Sequence, residues 1–179
     1  MYIRVISDLK RWESIVNDDP ELLPADCFAD LKTTKNTLSI WQVDDELSEI
    51  DIEDFIVIPA LGRSTIEKIT YVFLEENELI ENELEVKNTK PSCVYLNNEK
   101  EYFLEHHYDI VNIDSNKYQK IATLIRSKVR NDNIKVLTRH SVLSTAIKLF
   151  NKNILIKDRL NQNIQSKIEM EMNKSINMH

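Results

Sequence analysis

The sequence predicts an α+β protein: an antiparallel or mixed sheet with N-terminal helices, followed by a C-terminal helical section. Three observations carry this. Apolar residues alternate with a period of two between residues 69 and 113. They recur at helical spacing from residue 115 onward. The charge changes sign at the same place: residues 1–113 carry 25 Asp and Glu against 10 Lys and Arg, and residues 114–179 carry 5 against 13. The halves have net charges of −15 and +8, which the overall −7 conceals. The expected organisation is an acidic α+β domain over 1–113 and a basic helical section over 114–179, packed on the first or extending from it.

The first strand is expected over 2–6, with Ile3 and Val5 on one face. Ser7 or Asp8 then caps a helix over 9–18, on which Leu9, Trp12, Ile15 and Val16 share a face, ended by Asp18-Asp19-Pro20. Residues 20–35 have no clean period. A strand follows over 37–43. Asp51 is the expected cap of a helix over 52–61, distorted late by Pro59 and closed by Gly62. Residues 69–74 read as a strand buried on both faces, and 80–86 as a half-exposed strand with Glu81, Glu83 and Glu85 in a solvated row. Segments 94–96 and 102–104 flank an Asn97-Asn98 turn, a strand at 108–113 follows, and the set implies an antiparallel meander.

Everything beyond Ile113 reads as helix. Asp114 or Ser115 caps a helix to about residue 130, with Tyr118, Ile121, Ala122, Ile125 and Val129 inward. Ser141 caps a second, with Leu143, Ala146, Ile147 and Phe150 inward. A third runs over 156–174. On it Ile156, Leu160, Ile164, Ile168, Met172 and Ile176 recur at intervals of four. At 3.6 residues per turn each step drifts by about 40°, so the ridge winds around the helix. It either covers its own domain or fills a partner's groove. In the second case Ile156, Leu160, Ile164, Ile168 and Met172 are the partner-binding residues.

Composition excludes several classes. Gly62 is the only glycine, so a P-loop, a G-x-G-x-x-G turn and a nucleophile elbow are absent in their usual forms. Turns must use Asn and Asp, which tolerate left-handed backbone. Apolar runs fall far short of the roughly 20 residues a membrane helix needs. The first residues are too short in apolar content for a secretory signal. Cys27 and Cys93 are therefore expected as reduced thiols in the cytoplasm. His106 and His107 would face opposite sides of a strand, and no H-x-x-x-H or C-x-x-C pair occurs. No metal site and no cofactor are expected.

Three functional readings remain. The leading one is a non-enzymatic interaction subunit of a multiprotein assembly: an accessory, antitoxin, immunity or anti-phage defence component, with a protein partner or a second copy. It rests on the missing catalytic motifs, the bipolar charge and the narrow C-terminal ridge. The second is a small enzyme using the polar loop 26–36 with Arg63. There Asp26 or Asp30 would serve as base or metal ligand and Cys27 as nucleophile, beside Thr33 and Asn36 of the same loop, with Arg63 to hold an anion. The blander account of this loop is a hydrogen-bonded scaffold with its apolar residues tucked inward. The third is nucleic-acid binding through Lys120, Arg126, Lys128 and Arg130, although the long gap between the helices and the missing turn glycine fit a helix-turn-helix poorly. The same cations would alternatively form a solvated surface or dock on the acidic half.

Overall fold

The computed structural model describes residues 1–19, 21–31, 33–43, 49–91, 93–97 and 103–176; for 49–51 and 174–176 it describes the backbone alone. The elements run β1 (Tyr2–Ile6), α1 (Lys10–Glu13), a 3-10 helix (Ala25–Ala29), β2 (Leu38–Gln42), α2 (Glu49–Ala60), β3 (Ile69–Leu74) and α3 (Glu76–Glu81). They continue through β4 (Glu85–Asn88), β5 (His107–Val111), α4 (Ser115–Arg130), β6 (Ile134–Leu137), α5 (Arg139–Asn151), a further 3-10 helix (Lys157–Arg159) and α6 (Gln162–Ile176). This is the α+β architecture the patterning implies.

The chain folds into two compact units, each assembled from three segments. The first comprises Met1–Asp45, Thr70–Lys90 and His106–Val136, and the second Glu46–Ile69, Pro91–Glu105 and Leu137–His179. The charge boundary at residue 114 thus falls inside the first unit. Hydrophobic burial sets this division: α4 places Ile121, Ala122, Ile125 and Val129 in one core with Tyr2, Ile6, Trp12, Cys27, Leu31, Leu38, Ile40, Val72, Leu74 and Ile110. Charge is a surface property and does not mark where a core ends.

The sheet has the order β4-β5-β2-β1-β3-β6, with antiparallel pairing of β1 to β2 and β3, of β2 to β5 and of β4 to β5. It is not a simple meander: β1 pairs with β2 and β4 with β5, but β1 separates β2 from β3, and β1, β2 and β5 lie between β3 and β4. β3 is buried on both faces, as its apolar run predicts. In the second unit α2 carries Ile52, Phe55, Ile56 and Ile58 into the interior. Its buried Asp54 meets Lys148 of α5 at 2.5 Å, and Glu53 accepts from Thr145 at 3.2 Å.

Several expected elements differ. α1 stops at Glu13, and Ile15 is 65% exposed, because Asn17 and Asp18 turn left-handed and bridge Val16 to Asp19. The expected strand at 80–86 is split: Ile80 and Glu81 end α3, which a capping box at Glu75 and Glu78 begins, a turn follows, and Glu85 and Val86 open β4. Asp51 lies within α2 rather than capping it. Residues 103–106 form a 3-10 turn, and Leu96 bridges Leu155; Asn98 and Tyr102 lie outside the described residues. β6 interrupts the section expected to be helical throughout. α5 begins at a Thr138 cap, whose hydroxyl accepts from Ser141 N at 3.1 Å, and it buries Val142, Thr145, Ala146 and Leu149; of the expected face Ala146 is buried and Leu143, Ile147 and Phe150 are half-buried.

Asn and Asp do replace glycine at turns. Eight non-glycine residues among those described have positive φ, six of them Asn or Asp. Left-handed Glu83, Asp132 and Asn153 close α3, α4 and α5 with paired bonds such as Leu84 N to Leu79 O and Glu83 N to Ile80 O. That is the Schellman geometry usually given to glycine. Lys35 and Asn36 form a left-handed pair between bridged Thr34 and Thr37. An L-residue in this region costs roughly 1–2 kcal/mol, partly offset because glycine is more flexible when unfolded. Lys35→Gly is expected to raise stability by up to about 1 kcal/mol, read by denaturant melts. Gly62 does not have the positive φ expected of a left-handed cap. A Cβ there would lie 3.0 Å from the Tyr95 hydroxyl, which donates to Ile58 O at 3.0 Å. Gly62→Ala should therefore displace Tyr95 and cost about 1–2 kcal/mol, and Tyr95→Phe in the same chain should recover part of that loss.

Candidate functional site

The loop singled out in the sequence is built into the first unit as a scaffold. The 3-10 helix Ala25–Ala29 delivers Asp30 beneath β1 and α1. Asp30 is 5% exposed, and both carboxylate oxygens are engaged: Oδ1 accepts from Ser7 N at 2.8 Å and Oδ2 from Trp12 Nε1 at 2.7 Å. Arg4 donates to Asp30 O at 3.3 Å and to Ser39 O at 2.9 Å. Tyr118 of α4 stacks on Phe28 at 5.4 Å and donates to Phe28 O at 2.7 Å. The loop is thereby fastened to β1, β2, α1 and α4.

Cys27 is fully buried, and burial pushes its thiol up to about 11, against the opposing pull of the Arg126 charge. It is protonated at neutral pH and a poor nucleophile. Cys27 is expected to resist thiol reagents at pH 8 until the protein is unfolded, whereas half-buried Cys93 reacts first. Equal rates at both would contradict this geometry.

Asp26 is exposed. Thr33 and Asn36 line an open cleft of about 410 Å³ together with Ile113, Asp114, Ser115 and Tyr118. The Asp114 carboxylate there caps α4 by accepting from Lys117 N at 2.8 Å. Arg63 is exposed on the turn after α2 and belongs to the second unit. The structure therefore brings Thr33 and Asn36 to one cleft and commits Asp30 and Cys27 to the core.

The four cations proposed for nucleic acid are engaged within the first unit. Lys120 meets Glu83 at 2.5 Å, and its hydrogen bond holds that carboxyl below its ordinary range. Lys128 pairs with Glu78, and Arg130 with Glu21. Arg126 is 5% exposed, donates from Nη2 to Ser14 O at 3.1 Å, and its Nε has no partner among the described residues. The basic face of α4 thus meets glutamates of the acidic half.

The C-terminal ridge is not one helix. Ile156 is half-buried, a 3-10 helix follows, and Leu160 is extended. Asn161 restarts the chain as α6: its side chain accepts from Asn163 N at 3.0 Å and its carbonyl from Ile164 N at 2.9 Å. Leu160, Ile164 and Ile168 are 5%, 0% and 0% exposed, Met172 is half-buried and Met170 is 59% exposed. The side chain of Ile176 lies outside the described residues.

One polar network went unnoticed in the sequence. On β5, Asp109 accepts from Ser39 Oγ at 3.0 Å and from Thr89 Oγ1 at 2.8 Å. His107 Nδ1 lies 2.7 Å from Thr89 O and 2.9 Å from Thr89 Oγ1. The carbonyl requires a donor, which fixes the neutral ring as the Nδ1–H tautomer and leaves the lone pair on Nε2. The ring is 7% exposed and meets Trp41 edge-on at 4.9 Å. The alternation of His107 and Asp109 on a strand was visible in the sequence, but Thr89 lies 18 residues away and no local spacing announces it.

Among the described residues no group of three or more His, Cys, Asp or Glu is placed to hold a metal ion, and no helix is long and apolar enough to cross a membrane. No family model, curated protein or solved structure matches the chain.

Proposed function

We propose that this protein is an interaction subunit of a multiprotein assembly. The observation that supports this reading is the engagement of Asp30: both oxygens of the best-placed carboxylate in the 26–36 loop hold β1 and α1 in place. A carboxylate fixed in that way cannot move a proton without loosening the fold. With Leu160, Ile164 and Ile168 buried, the surface left on α6 for a partner or a second copy lies around Met170 and Met172. Methionine suits such a surface because it adapts to irregular contacts.

The test is native affinity purification of the full chain from its host, with light scattering and mass spectrometry. A stoichiometric partner or a defined oligomer is expected, weakened by Met170→Asp. A monomer that retains no protein in stoichiometric amount overturns the reading. The finer assignment, to antitoxin, immunity or anti-phage assemblies, stands or falls with the identity of that partner.

A second reading, a small acid–base enzyme, is favoured by the Thr89–His107–Asp109 network instead of the loop. His107→Gln would abolish turnover of any substrate found for the purified protein while its melting curve stays cooperative. Unchanged turnover removes this reading.

A further inference from the structure

We draw no further inference here: the strongest candidate, the outer edge of β6 with Val136 50% exposed on it, is the last strand of the sheet among the described residues, and nothing in the structure shows what covers it.

Discussion

Ile164→Asp is expected to unfold the second unit. Ile164 is 0% exposed at the start of α6. Replacing it removes roughly 1.5–3 kcal/mol of apolar burial. It also places a carboxylate in a fully buried position, which costs several kcal/mol more unless it is paired. The sum, about 5 kcal/mol or more, reaches the stability of a typical domain. Loss of the cooperative melt and of α6 amide protection in hydrogen exchange would show it. Met170→Asp, six residues further on at an exposed position, should stay within about 0.5 kcal/mol of the parent. The pair separates two roles of one helix. If Ile164→Asp remains folded and merely loses a partner, the ridge is an interface and its burial within the unit is not essential.

Asp30→Ala is expected to cost about 3 kcal/mol, while Asp26→Ala costs less than about 0.5 kcal/mol. The loss leaves Ser7 N and Trp12 Nε1 without their acceptor in a buried setting. For a chain of this size that is roughly a 10 °C fall in Tm. Asp30→Asn should help little, because an amide offers one acceptor and turns a donor toward the second N–H. Trp12→Phe removes one of the two donors, so a double-mutant cycle with Asp30→Ala should show coupling of about 1 kcal/mol or more. An Asp30→Ala protein that melts like the parent would return the loop to the catalytic candidates.

Legibility followed the length of the pattern. α4 was readable because sixteen residues repeat one apolar face behind an Asp114 cap, and β3 because five of its six residues are apolar and fall on both faces. α3 was not, because six residues show less than two helical turns, and Ile80 at its end falls in step with Leu84 and with Val86 of β4 when counted in twos. The ridge at intervals of four was legible as burial but not as two elements; only the side chain and carbonyl of Asn161 divide it. In the loop, Asp30 and Cys27 carry the residue types of a reactive site. Their roles depend on Ser7, Trp12 and Arg126, distant in sequence, and no local reading supplies those partners. The cations of α4 left nucleic-acid binding, a solvated surface and docking on the acidic half side by side, because their glutamates, Glu21, Glu78 and Glu83, lie far up the chain.

The interleaving of the two units bears on biosynthesis. α4 completes the first core only once the chain has been made as far as Arg130, well after β3, and the second unit waits for α5 and α6. At roughly 5–20 residues per second, β1 to β3 would emerge from a ribosome many seconds before the helix that covers them. Their apolar faces are open to chaperones during that interval, and a ribosome stalled at residue 113 would display an unfinished sheet. Expression yield of this chain should accordingly depend on nascent-chain chaperones more than its length suggests.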